Sequence, residues 1–82
     1  MANPIIATSF IYAHIPQPCY AHAFENRTFR VRIKPTQGIA RYLTQAEFEL
    51  LYQEEKGTEW YELQMQCFHF CKAEYLRRNL TD

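Results

Sequence analysis

Residues 29–34 of this 82-residue chain are Phe-Arg-Val-Arg-Ile-Lys, and Pro35 follows them. Apolar residues alternate with cations here, so a β-strand would present one apolar face to a core and one basic face on its other side. Pro35 ends the strand, because proline has no N–H group for a sheet ladder. This is the clearest strand pattern in the chain, and it indicates that the first half of the sequence forms a sheet.

A second strand pattern precedes it, between Pro4 and Ile15, where β-branched and aromatic residues dominate. Both alternating sets of this segment are largely apolar, so one face covers the core and the other needs a cover from the chain or from a partner. Pro16 and Pro18 are expected to end this strand. The sequence therefore predicts a small antiparallel sheet of two or three strands within residues 4–34.

The second half of the chain carries helix signals. Thr44 and Glu47 have the spacing of a capping box, in which each side chain accepts from the other residue's backbone N–H. Leu43 and Phe48 have the spacing of the hydrophobic staple that accompanies such a box. These signals predict a first helix over about residues 45–56.

Gly57 is expected to end the first helix in the left-handed conformation, and Thr58 is a candidate N-cap for a second helix over about residues 58–79. One face of that helix is apolar and consists of Trp60, Leu63, Cys67, Phe68, Cys71 and Tyr75. We therefore predict a single α+β domain over residues 1–82, in which the sheet packs against two C-terminal helices.

Charged residues are sorted into blocks, although the net charge of the chain is zero. Residues 27–41 contain five cations and no acid, whereas residues 42–62 contain six glutamates and one lysine. Such sorting allows a basic surface and an acidic surface, each able to select a partner. The acidic block fits an ordinary helix surface, so the basic block is the stronger candidate for a binding site.

The candidate partner-binding residues are the basic strand with its flanks, two aromatic residues of the preceding strand, and one leucine predicted to be exposed on the first helix. They are Arg27, Arg30, Arg32, Lys34, Arg41, Phe10, Tyr12 and Leu50. Alternating cations can follow phosphates while aromatic rings stack on bases, as in sheet-type readers of single strands. The same alternation also keeps an edge strand soluble. The zero net charge favours a protein partner over nucleic acid.

Catalysis, cofactor binding and metal binding are not expected. The chain has no Gly-flanked nucleophile, phosphate-binding glycine loop or HExxH pattern, so we predict that it is not an enzyme and uses no cofactor. Cys67 and Cys71 lie one helical turn apart, but His69 between them is rotated about 200° from Cys67, so the three cannot ligate one ion. Three cysteines, an odd number, argue against a disulfide framework, and reduced thiols are the expectation.

The chain has no apolar run of the roughly 18 residues that a membrane span needs, and no signal-peptide pattern, which predicts a cytoplasmic protein without a membrane partner. The predicted function is a non-enzymatic protein-binding module, such as a phage or mobile-element accessory protein that inhibits a host nucleic-acid-handling complex in the manner of anti-CRISPR or other anti-defence proteins. The alternative is a sheet-type nucleic-acid-binding protein or small transcriptional regulator that uses the basic strand. The wide apolar arc of the second helix also allows a homodimer.

Overall fold

A computed structural model describes residues 5–23 and 29–78 of the chain. Within them, four antiparallel strands in the order β1-β2-β3-β4 form one sheet, and two α-helices follow. The strands are β1 Ile6–Tyr12, β2 Ile15–Ala23, β3 Phe29–Ile33 and β4 Arg41–Leu43. The helices are α1 Gln45–Leu51 and α2 Glu59–Arg77, with a short 3₁₀ turn at Gln53–Glu55 between them. The predicted α+β class is confirmed, with four strands instead of two or three.

The first two strands form a hairpin where the sequence predicted one long strand. The chain reverses at Ala13 and His14, so that Tyr12 pairs with Ile15. Pro16 and Pro18 therefore lie inside β2, and the prediction that they end a strand is wrong. β3 pairs only with the far end of β2, residues 21–23, so β2 has a single neighbour at its prolines. Proline is tolerated at such an edge, since no second ladder needs its missing N–H.

The fourth strand, β4, was not among the strands predicted from the sequence. It is only three residues long, and its Leu43 pairs with Val31 of β3. Gly38 lies in the loop before it with a φ of 113°, a backbone conformation that glycine adopts without steric cost. A strand of three residues is too short for an alternation to be recognised in the sequence, which explains why it was missed.

Helix α1 begins as predicted and ends earlier. The backbone N–H of Glu47 donates to Thr44 Oγ1 over 3.1 Å, and Glu47 Oε1 accepts from the backbone N–H of Thr44 over 2.8 Å. The capping box is therefore confirmed. The helix stops at Leu51, which is 53% exposed, instead of continuing to about residue 56. Gly57 has the predicted left-handed conformation, with a φ of 96°.

Helix α2 covers one face of the sheet, and Phe48 of α1 lies in the middle of the core. Its ring is fully buried, with ring centroids 4.9 Å from Tyr61 and 5.6 Å from Phe68. Trp60 and Leu63 are only half-buried, so the buried side of α2 is rotated relative to the predicted face. The buried apolar residues are Ile6, Cys19, Ala21, Val31, Ile33, Leu43, Phe48, Tyr61, Cys67, Phe68, Cys71 and Tyr75.

The cysteines differ from the expectation of reduced thiols. Cys19 of β2 and Cys71 of α2 form a disulfide bond, with their Cα atoms 6.8 Å apart and a sequence separation of 52. Cys67 remains a free, buried thiol, and its carbonyl oxygen lies 3.2 Å from Cys19 Sγ. An odd number of cysteines leaves one unpaired, but it does not prevent the other two from meeting across the core.

A candidate binding face on the open side of the sheet

The sheet has one face turned towards α2 and one turned away from it. Val31 and Ile33 of β3 are fully buried on the helix side, so Arg30 and Arg32, which alternate with them, lie on the other side. The predicted apolar and basic faces of this strand are thus confirmed. We call the side away from α2 the outer face, and its residues in β1 to β4 are Ala7, Ser9, Ile11, Pro16, Pro18, Tyr20, His22, Arg30, Arg32 and Tyr42.

The strand register surrounds the two arginines with aromatic rings. His22 lies opposite Arg30, and Tyr42 lies opposite Arg32. The guanidinium carbon of Arg32 is 6.0 Å from the ring centroid of Tyr20, at the limit of a cation–π contact. The rings of His22 and Tyr42 meet edge to face, with their centroids 6.0 Å apart. Two cations and three aromatic side chains therefore form one continuous patch.

An ion pair links this patch to the first turn of α1. Arg30 Nε lies 3.4 Å from Glu47 Oε1. The backbone N–H of Thr44, and after it the Arg30 guanidinium, lower the pKa of Glu47 below its ordinary value, because both stabilise the carboxylate. Arg30 is partly covered, its side chain being 25% exposed, whereas Arg32 is exposed. Arg32 is thus the more accessible of the two outer-face cations.

The other predicted cations do not share this patch. Lys34 is exposed but lies just beyond the last residue of β3. Arg41 pairs with Ile33, so it belongs to the helix side of the sheet, at the β4 edge. Arg27 lies outside the residues that the structure describes. Leu50 is 71% exposed on α1, as predicted, on a different element from the arginines.

The two aromatic residues predicted to accompany the arginines lie on the wrong face. Phe10 and Tyr12 alternate with the same set as the buried Ile6, so all three belong to the helix side of β1. The Phe10 ring packs against Phe70 of α2, with 5.3 Å between the ring centroids. Phe10 and Tyr12 therefore do not lie beside the arginines, and a role for them in partner binding stays a prediction.

The aromatic residues that do lie beside the arginines are Tyr20, His22 and Tyr42, which the sequence did not single out. Tyr20 and His22 alternate with Cys19 and Ala21, which is a strand pattern. The prolines before this segment concealed the pattern. For Tyr42 no local signal exists, since its position depends on the pairing of β4 with β3.

Cys67 is the free cysteine of the described part of the chain. Burial raises the pKa of the Cys67 thiol to about 11, so it stays protonated at neutral pH and is a poor nucleophile. Among residues 5–23 and 29–78, no three histidine, cysteine or acidic side chains are grouped so that they could hold a metal ion. Within the same ranges, no helix has the length and the apolar character that crossing a bilayer requires.

A functional assignment rests on the fold and the outer face, because comparison with known proteins gives no match. No family model matches the chain, and neither a curated protein nor a solved structure matches it. The fold and the site together define a small α+β protein that has helices on one side of its sheet and an arginine- and tyrosine-bearing face on the other.

Proposed function

We propose that this protein is a non-enzymatic protein-binding module whose outer face contacts the partner. The observation that supports this most strongly is the placement of exposed Arg32 between Tyr20 and Tyr42 on the side of the sheet away from α2. Tyrosine and arginine are the residue types that most often supply binding energy in protein interfaces, because they combine a large apolar area with polar groups. A sheet presents them on a rigid frame.

Apolar residues at the hairpin end of the outer face add to this interpretation. Ile11 is 73% exposed, and Pro16, which pairs with it, is exposed as well. The outer face is apolar at one end and carries Arg30 and Arg32 at the other. Protein interfaces likewise combine an apolar core with a polar rim. The partner surface that complements it has an apolar patch opposite Ile11 and carboxylates opposite Arg32.

The test is a capture experiment with a matched charge reversal. Arg32→Glu reverses a cation of the outer face, and Arg41→Glu makes the same change on the helix side of the sheet. We expect Arg32→Glu to weaken partner binding by about tenfold or more, and Arg41→Glu to leave it unchanged. A partner that is retained equally by both variants contradicts the proposed face.

The identity of the captured protein also tests the more specific predictions about the partner. Membership of a host nucleic-acid-handling complex, as expected for a phage or mobile-element inhibitor, stays a prediction until the partner is identified. A second copy of this chain as the occupant would appear as a dimer in light scattering, and Arg32→Glu would dissociate it. A cytoplasmic location also stays a prediction, and reduced Cys19 and Cys71 in protein taken directly from cells would agree with it.

Single-stranded nucleic acid is the second candidate partner, favoured by the position of Arg32 between Tyr20 and Tyr42 on one face. If these residues bind phosphates and bases, the affinity for a labelled oligonucleotide falls steeply with salt. Arg32→Ala should then reduce the slope of log affinity against log salt by about one. The absence of measurable binding at about 50 mM salt contradicts this alternative.

A further inference from the structure

A concave site elsewhere on the molecule shares no residue with the outer face. It is a cleft of about 270 Å³ between the loop that joins β3 to β4 and the beginning of α2. The residues that line it are Pro35, Thr36, Gln37, Tyr52, Glu55 and Trp60. Its volume is below the roughly 300–1,000 Å³ of pockets for drug-sized ligands, so it fits one small group or one side-chain end.

Two aromatic rings form walls of this cleft. The ring centroids of Tyr52 and Trp60 are 5.1 Å apart and their planes meet at 67°, so the two rings meet edge to face. Both rest on the fully buried Phe48, at centroid distances of 5.3 Å and 5.7 Å. The indole N–H of Trp60 donates to the carbonyl oxygen of Lys34 over 3.3 Å. Packing and this hydrogen bond hold the rings in place before any ligand arrives.

Glu55 is the acidic residue in the lining of the same cleft. Its carbonyl oxygen accepts from the backbone N–H of Thr58 over 3.0 Å and from Thr58 Oγ1 over 2.7 Å, which fixes the backbone beside the cleft. Its carboxylate takes part in none of the hydrogen bonds or ion pairs formed within the described part of the chain. Arg41 lines an adjoining depression that shares Pro35, Gln37 and Tyr52 with the cleft, whereas Glu55 is the charged residue in the lining of the cleft itself.

We propose that this cleft binds an alkylated ammonium cation. The faces of tryptophan and tyrosine attract cations through their negative quadrupole, and groups of such rings are the usual recognition sites for quaternary ammonium ions. Alkylation spreads the charge and weakens hydration, so entry into a cleft lined by Trp60 and Pro35 costs less than for a bare ammonium. The carboxylate of Glu55 complements the charge. The group can belong to a free choline-like molecule or to a methylated lysine of a protein.

Trp60 is the only tryptophan of the chain, so its fluorescence reports on the cleft directly. The probe is choline, and its control is 3,3-dimethylbutan-1-ol, which has the same shape with carbon in place of the charged nitrogen. We expect a saturable change with choline and binding at least about fivefold weaker for the neutral alcohol. A trimethyl-lysine peptide that binds about tenfold tighter than choline would indicate a protein-borne group, and equal affinity would indicate a small molecule.

Two glutamine variants separate a specific carboxylate from general surface charge. Glu55→Gln removes the charge of a residue that lines the cleft, whereas Glu54→Gln removes the charge of its neighbour, which is not part of the lining. We expect choline to bind about threefold to fivefold more weakly to Glu55→Gln and unchanged to Glu54→Gln. The proposal is overturned by the absence of a saturable change up to about 50 mM choline, by equal binding of the alcohol, or by unaltered binding to Glu55→Gln. These outcomes do not bear on the outer face.

Discussion

Glu47 connects the N-terminal cap of α1 to the basic strand β3. It completes the capping box with Thr44 and pairs with Arg30. Because its pKa is lower in the folded protein than the ordinary value of 4.5, the charged form stabilises the fold. This contribution is complete above the unfolded pKa, and it is lost as the pH falls through the lower folded pKa.

Glu47→Gln tests this coupling, because glutamine also fits the third helical position of a capping box but carries no charge. We expect the melting temperature of the wild type to fall on acidification from about pH 5 to pH 3 more steeply than that of Glu47→Gln. The two proteins should approach each other at the acidic end. Glu49→Gln, on the same helix, is the control and should retain the wild-type steepness. Parallel curves for wild type and Glu47→Gln would rule out the contribution.

Cys67 is predicted to be unreactive while the protein is folded. Its thiol is buried, and burial raises its pKa to about 11, so the reactive thiolate is rare at neutral pH. At about pH 8, iodoacetamide should modify Cys67 more than tenfold faster in denaturant than in buffer, because only the unfolded thiol has an ordinary pKa of about 8.5. Mass spectrometry of the cysteine peptides measures both rates, and similar rates would show that the thiol is accessible in the native state.

At the scale of elements, the β1–β2 hairpin contains the least favourable local geometry in the described residues. Ala13 and His14 form its two-residue turn, with φ values of 52° and 66°. A hairpin turn with two positive φ angles favours asparagine and glycine, since a Cβ atom makes the left-handed region costly. The turn therefore depends on the pairing of β1 with β2 rather than on its own residues.

Ala13→Asn/His14→Gly should raise the free energy of unfolding by about 1 kcal/mol, because both new residues tolerate the left-handed region. Urea unfolding measures the change. Equal stability of the hairpin variant and the wild type would show that the turn is not strained.

Gly57→Ala is the converse substitution. Nothing lies within 4 Å of an added Cβ at this position, so only the backbone strain at a φ of 96° affects stability. We expect Gly57→Ala to lower the free energy of unfolding by about 1 kcal/mol.

Prediction from the sequence succeeded for β3 and for the start of α1, and it failed for the β1–β2 hairpin. The alternation in β3 and the capping box of α1 depend on neighbours within four residues, and both were predicted correctly. Neither Ala13 nor His14 is a residue type that favours a turn, and Pro16 and Pro18 are of a type that usually ends a strand. Pairing with β1 overrides these local preferences, so the hairpin was not predictable from local pattern.

At the scale of the whole molecule, the disulfide between Cys19 and Cys71 joins the sheet to α2 across 52 positions of sequence. A cross-link of this span restricts the unfolded chain, so its reduction should lower the free energy of unfolding by about 2–4 kcal/mol. Urea unfolding with and without dithiothreitol measures the difference. Cys19→Ala/Cys71→Ala is the control and should not respond to the reductant. Equal stability of the oxidised and reduced wild type would contradict the prediction.

The cleft at Trp60 and the outer face have the same origin in long-range packing. Tyr52 and Trp60 belong to the ends of different helices, and Pro35 comes from a loop of the sheet. Tyr20 and Arg32 meet because β2 and β3 are neighbours in the sheet. Neither site has a motif in the sequence, since the residues of each come from separate segments.

Local sequence patterns were sufficient to predict the α+β class, the basic side of β3, the cap of α1 at Thr44 and the exposure of Leu50. Each of these depends on the spacing of residues within about two helical turns or one strand. The tertiary structure alone decided that Phe10 faces the helix and that Tyr42 lies beside Arg32. Strand register and helix rotation follow from burying the most apolar surface at once, and this optimum involves residues that are far apart in the chain.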